Sequence, residues 1–222
     1  LGTVLLNATT ARLFAKLIGV FLKNSEGILI VGASEVSQLI GKYLVDNDRH
    51  VVLIDSNQNN IAKAQELGLD ALSTNIYSDT LLDNIELNDV GYLMAMTGSP
   101  DINKYAINKF GKQFGENGSF RLVAVDEMND SENTPIEGLF SHTDDFISLS
   151  EAARNFPFIH EVSINDREHY EELIELTNKD NDIVPIFTKD TEGDIKIISS
   201  YNTAIENVDK GWILVYLGKR IQ

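Results

Sequence analysis

Apolar residues recur along this chain with two alternating periods. Gly27-Ile-Leu-Ile-Val-Gly32 is a short apolar run closed by a turn residue, the pattern of a strand buried on both faces. From Ser34 to Val45 the apolar positions Val36, Leu39, Ile40 and Leu44 fall at three- and four-residue spacing, which predicts a helix lying on a sheet. His50-Val-Val-Leu-Ile-Asp55 repeats the strand pattern, and a polar segment with Ile61, Ala64 and Leu67 repeats the helical one up to a capping Gly68. A short third strand follows at Ala71-Leu72, a short helix at Leu81, Leu82 and Ile85, a fourth strand at Val90–Met96, a helix at Asp101–Phe114 and a fifth strand at Phe120–Val125. Strands alternating with helices in this way predict a doubly wound parallel sheet of Rossmann type.

The alternation then stops. Asp126 to Thr134 is acidic, contains Asn and Ser, and runs into Pro135, so it reads as a surface loop. Phe146-Ile-Ser-Leu149 is expected to add a last strand, and Ser150 to Phe158 has the Asn and Pro content of a linker. A second unit begins near Ile159. It is expected to hold a strand at Glu161–Ile164, a helix at Glu168–Leu176, a hairpin of Ile183–Thr188 and Ile195–Ser199 turning through Thr191–Asp194, and a closing strand at Trp212–Leu217, where Trp212 and Tyr216 share a face. The resulting division is residues 1–25 as an N-terminal helix, 26–150 as a Rossmann-like nucleotide-binding domain and 159–222 as a smaller α+β domain.

Composition narrows the chemistry. The 222 residues are 43% hydrophobic and 23% charged, enough to close a full core. A formal net charge of -16 gives the phosphate backbone of a nucleic acid nothing to attract it, and nucleic acid is not expected as a partner. With no cysteine at all, disulfides, thiolate metal sites and a cysteine nucleophile are excluded together, which fits the cytosol. The chain begins on Leu, so it is expected to be processed or to be part of a longer protein. Leu1 to Leu22 is apolar but interrupted by Arg12 and Lys16, so it is neither a complete membrane span nor a signal peptide. Two readings of it stay open, an amphipathic helix packed on the domain or on a dimer mate, and the end of a membrane helix whose cations mark the cytoplasmic side.

The local signal with most chemical content is Gly32, Ala33, Ser34, Glu35, Val36 and Ser37, directly after the first strand and opening a helix. It is a degenerate dinucleotide fingerprint in which the first glycine makes the turn, while Ser34 and Ser37 stand where glycines would admit a pyrophosphate and a close helix. The helix start still offers free N–H groups and a positive dipole end to an anion. Asp55 ends the second strand, where a carboxylate can accept both ribose hydroxyls of an adenosine and repel a 2′-phosphate. Asp55 also suits an N-cap for the helix that follows, and both roles can coexist.

This order of elements resembles the RCK family, the regulators of K+ conductance, also described as Trk-type nucleotide-binding domains, over roughly Gly27 to Asp126. The family's acid at the end of strand two is matched by Asp55, its Thr near the end of strand four by Thr97, and its following Asn by Asn103. Departures are Ser34 and Ser37 for two glycines and Thr74-Asn75 for the usual Gly-Asp. Beyond that stretch, Lys210–Gly218 looks like the ending of the family's small second domain with Trp212 in place of an acid, and Leu1–Leu22 is similar to the tail of the last membrane helix of cation/proton antiporters. The resemblance implies NAD(H) or an adenine mononucleotide, AMP or ATP, as ligand, held by Gly32 to Val36, by Asp55 and Ser56, and by Asn75, Thr97 and Asn103. It further implies a non-catalytic regulatory domain, homodimeric, on the cytoplasmic side of the inner membrane and joined to the antiporter portion of the same chain. An NAD-dependent oxidoreductase and a dimerisation module that has lost its ligand are the alternatives.

Other candidates carry less. His50, His142, His160 and His169 show no metal-ligand spacing. His142-Thr-Asp-Asp145 reads as a polar loop, and Asp190-Thr-Glu-Gly-Asp194 as a hairpin turn, since the later Glu of a calcium loop is missing.

Overall fold

The computed structural model describes residues 26–78, 87, 89–128, 135–140, 145–199 and 208–221. The predicted N-terminal helix, the short helix at Leu81–Ile85 and His142 lie outside them. Five parallel strands form the first sheet: β1 (Gly27–Val31), β2 (Val51–Asp55), β3 (Asp70–Ser73), β4 (Val90–Ala95) and β5 (Gly118–Arg121), in the order β3-β2-β1-β4-β5. The chain therefore leaves β1 toward one edge and returns to its other side with β4, which creates a topological switch point between them.

Alternation along each strand feeds two apolar layers. Ile28 and Ile30 of β1, with Leu53 of β2 and Met94 of β4, meet the buried faces of α1 (Glu35–Asp46) and α2 (Gln58–Glu66). Leu29 and Val31, with Val52, Ile54 and Leu93, meet Ala106, Phe110 and Phe114 of α3 (Pro100–Phe114) on the opposite face. A strand buried on both sides needs an unbroken apolar sequence, which is why these runs show no polar alternation.

β5 begins and ends earlier than expected, at Gly118 and Arg121 in place of Phe120 and Val125. Its neighbour is the reason. The Arg121 amide donates to Glu137 O and the Leu139 amide to Arg121 O, both at 2.8 Å, so residues 137–139 run beside β5, while α4 (Val125–Met128) turns the chain away. Residues 126–128, expected as the start of a loop, belong to that helical turn. Leu139 also bridges Ser199, and Phe140, wholly buried with φ +66°, donates its amide to Ile198 O at 2.9 Å. A left-handed backbone costs a bulky residue about 1–3 kcal/mol, a cost offset by burying the ring.

The second sheet is antiparallel, in the order β6-β9-β7-β8, from β6 (Ile159–Ser163), β7 (Ile183–Lys189), β8 (Ile195–Ile197) and β9 (Ile213–Gly218). β7 and β8 are joined by the predicted turn, where Asp190 Oδ1 accepts the Glu192 and Asp194 amides at 2.9 Å and Gly193 takes φ +91°. One face of this sheet packs on α6 (Arg167–Lys179) through Tyr170, Leu173, Trp212 and Leu214. The other face, with Val184, Ile186, Phe187, Val215 and Leu217, joins the same apolar cluster as α1 and the parallel sheet.

Helix α5 (Phe146–Asn155) is the largest departure from expectation. It replaces both the strand predicted at Phe146–Leu149 and most of the linker predicted at Ser150–Phe158. Asp145 caps it, its Oδ1 accepting the Ile147 and Ser148 amides at 3.1 and 2.8 Å. Leu149, Ala152 and Ala153 form its buried stripe against α1, β7 and β9. A four-residue, mostly apolar run fits a strand or a helix equally, and packing between α1 and the antiparallel sheet decides for the helix here. Polar contacts fix the same junction: Lys189 Nζ donates to Glu161 Oε1 at 2.8 Å and to Asn47 Oδ1 at 3.2 Å, Tyr43 donates to Glu161, and Arg49 donates to Gly193 O at 2.8 Å.

Arg121 secures the β5 side. Its side chain is 3% exposed and donates to Glu137 Oε1 at 3.0 Å and Glu127 Oε2 at 2.8 Å, which holds residues 137–139 and α4 against the strand end. The Arg121 hydrogen bond, supported by Lys104, holds the Glu127 carboxyl below its ordinary value of 4.5 against the opposing effect of burial. A depressed acid contributes stability in full above its unfolded value and loses it as pH falls through the folded one. Arg121→Ala, which removes the Glu137 pair and leaves Glu127 with Lys104 alone, is expected to lower the unfolding free energy by about 3 kcal/mol in urea titrations at neutral pH. That deficit should shrink as the pH is lowered below the ordinary carboxylate range, and a deficit independent of pH would remove the ion pairs as its cause.

Candidate functional site

A cavity of about 410 Å³ opens at the C-terminal ends of β1, β2 and β4, at the switch point where doubly wound sheets hold ligands. Gly32 makes the floor. Its φ is +100°, and a Cβ there would stand 3.0 Å from both Met96 O and Thr97 Cγ2, so both backbone and space demand glycine. α1 then starts from the N-cap Ser34, whose Oγ accepts the Ser37 amide at 3.3 Å and lies 3.1 Å from the Ser37 hydroxyl. The two serines that replace glycines thus bond to each other and brace the turn. Ser34 lines the cavity. Ala33 and Val36 are buried, Glu35 is exposed, and none of these three side chains lines it. The Glu35 and Val36 amides, in the first helical turn, have no carbonyl partner within the helix.

Asp55 faces this turn across the end of β2. Its Oδ2 accepts the Ala33 amide at 2.8 Å and the Asn60 side-chain amide at 3.2 Å, and its Oδ1 accepts the Asn57 amide at 2.9 Å. A carboxylate offers about four lone-pair sites, so about one is left, on Oδ1. A ribose can take that site directly, and its second hydroxyl must displace the Asn60 amide. The N-cap of α2 is Asn57, which accepts the Asn59 amide at 3.0 Å. The capping role considered for Asp55 therefore falls to a neighbour.

The remaining sequence candidates separate. Ser56 lies exposed on the rim, and Asn75 lines the wall, its Oδ1 accepting the Tyr77 amide at 2.9 Å. Thr97 lines the wall beside Gly32. Asn103 stands behind it, 1% exposed and outside the cavity. Its Oδ1 accepts the Thr97 amide at 3.0 Å and hydroxyl at 2.7 Å, while its Nδ2 donates to Thr97 O at 2.9 Å and Leu122 O at 3.3 Å. With all four bonds made inside the protein, Asn103 positions Thr97 and ties the ends of β4 and β5.

Four residues of the site were missed in the sequence. Asn60 lines the wall and competes for Asp55. Gln38, buried on α1, donates to Ala33 O at 2.9 Å and Asn60 O at 3.3 Å, joining the turn to α2. Tyr77 is 53% exposed at the cavity mouth with its ring 4.6 Å from that of Tyr105. Phe146, the first residue of α5, lies over Gly98, where a Cβ would approach the ring to 3.2 Å. Only Gly98 hints at this, because a glycine after a strand often admits a close neighbour. The other three depend on tertiary contacts between separate elements.

The family profile of the TrkA-N domain matches residues 28–132. Among curated proteins, none matches the chain. A solved structure similar to it is the N5-carboxyaminoimidazole synthetase from Staphylococcus aureus, at 12% identity and a TM-score of 0.34, over 87% of this chain. The chain spans 47% of that protein's length, and the similarity is too low to carry an argument about function. The profile, the strand order and the glycine turn at the switch point agree: residues 28–132 match the TrkA-N domain and fold as a Rossmann-like sheet.

Proposed function

We propose that this chain is the cytosolic ligand-sensing domain of a cation/proton antiporter or related transporter, and that an adenine nucleotide, NAD(H) or a mononucleotide, occupies the cavity above Gly32. The observation that carries this reading is the position of Asp55, fixed against the Ala33 amide with one acceptor site left on Oδ1 and lining a cavity of nucleotide scale. The TrkA-N match supports a regulatory role over the oxidoreductase alternative. Regulation needs the bound and free states to differ in energy at a distance, and α5 supplies a route: Phe146 lines the cavity while Leu149, Ala152 and Ala153 pack on α1 and the antiparallel sheet. A ligand that presses on Phe146 therefore biases the junction between the sheets, and with it a dimer and the membrane portion of the same chain.

Asp55→Ala should weaken binding of AMP or NAD(H) at least tenfold by calorimetry, about 1.4 kcal/mol, because a charge-assisted contact is lost. Unchanged affinity would remove Asp55 from the site. Hydrogen exchange should show ligand-dependent protection extending through residues 146–155 into β9, and Phe146→Ala should confine that protection to the ends of β1 and β2. Protection that never reaches α5 in the unaltered protein would rule out this route. Light scattering at micromolar concentration is expected to find a two-fold dimer, and a strict monomer would count against signalling between paired subunits.

A further inference from the structure

The electrostatics of the cavity restrict which adenosine ligand it takes. Among the described residues of its wall the only charged side chain is Asp55. Ser34, Ser56, Thr74 and the amides opening α1 offer dipoles to a phosphate, the Thr97 hydroxyl being donated to Asn103, and among the described residues of the wall no ammonium or guanidinium joins them. The helix dipole supplies roughly half a positive charge. Glu35 at the first helical position and Asp55 beside the turn oppose it, and the Ala33 amide is occupied by Asp55.

The neighbouring cations lie outside the wall, with Lys109 held directly behind it at Ile76. Lys109 donates to Ile76 O and Ser78 O at 3.3 Å and lies over the Tyr105 and Phe110 rings. Lys104 and Arg121 are paired with Glu127. Residues 79–86, 88, 129–134, 141–144 and 200–207 of the sequence contain no Lys or Arg, residues 1–25 contain Arg12, Lys16 and Lys23, and the whole chain carries a formal charge of -16. A triphosphate placed at the start of α1 would meet, in the described wall, one carboxylate and a single helix terminus to answer it.

We infer that the site takes adenosine ligands of low charge density, a nucleoside monophosphate or a nicotinamide dinucleotide, and discriminates against nucleoside triphosphates. The inference rests on the adenine-nucleotide reading proposed above and specifies its ligand. Each phosphoryl group added beyond the first meets repulsion from Asp55 and Glu35 with no cation among the described residues of the wall, whereas the dinucleotide spreads two single charges along the helix start. Discrimination of this origin must weaken with salt, since the Debye length falls from roughly 10 Å at 0.1 M to roughly 3 Å at 1 M. It must also weaken when a cation is added at the rim, where Ser56 is exposed and can be replaced without disturbing the core.

The test is calorimetric titration of the full chain with adenosine, AMP, NAD+, ADP and ATP in magnesium-free buffer at low and high salt. AMP and NAD+ are expected to bind at least about tenfold more tightly than ATP at low salt, with ADP between. The ratio should fall severalfold at high salt, and Ser56→Arg should narrow it in low salt. ATP binding as tightly as AMP at low salt would overturn the inference while leaving the nucleotide reading standing. A gap that neither salt nor Ser56→Arg alters would overturn it too, by assigning the selectivity to shape. Failure of every adenosine ligand to bind would overturn both.

Discussion

The hydrogen bond from the Ala33 amide to the Asp55 carboxylate joins the ends of the two strands that define the site. Gly32 can turn as sharply as it does because nothing but hydrogen stands where a Cβ would meet Met96 and Thr97, and that turn brings the Ala33 amide to face β2. Once Asp55 is fixed there, its lone pairs are shared among Ala33, Asn57 and Asn60, and Gln38 binds the carbonyls of both Ala33 and Asn60. The glycine turn, the start of α1 and the start of α2 thus form one hydrogen-bonded unit. A ligand that uses both oxygens of Asp55 must exchange with a protein group, which links that mode of binding to the position of α2.

Burial makes the second half of the chain part of the same body. The apolar face of the antiparallel sheet continues the core that covers one side of the parallel sheet, and α5 fills the space between them. Residues 137–140 bond to β5 on one side and to Ile198 and Ser199 on the other, so backbone pairing crosses the junction as well. Close-packed interiors transmit a displacement with little loss, and the Phe146 ring lies where the cavity and this junction meet. Among the described residues of the wall that this geometry encloses, Asp55 is the one charged side chain.

Several features were legible in the sequence because they reflect a burial pattern that only one arrangement satisfies. Runs such as Ile28–Val31 and Val51–Ile54 are apolar at every position because both faces are covered, and a chain of such strands separated by amphipathic helices has few topologies open to it. Gly32 and Asp55 could be picked out because their roles depend on backbone conformation and on position at a strand end. The roles of Asn103, Asn60 and Gln38 were hidden, since each depends on partners from separate elements: an amide side chain reads the same whether it faces a ligand, water or the protein's own backbone.

The clearest division falls at Phe146. The sequence by itself determined the parallel nucleotide-binding sheet, the glycine turn and the acid at the end of the second strand, because periodicity and strand-end chemistry are local properties of the chain. It also contained the signs of α5, an Asp145 cap and a Leu149, Ala152 and Ala153 stripe, yet Phe146–Leu149 suited a strand as well. Only the tertiary structure decided between them. The slot between α1 and the antiparallel sheet accepts a helix with small residues on its buried face, and in filling it α5 carries Phe146 onto Gly98 and into the wall of a site built by residues far earlier in the chain.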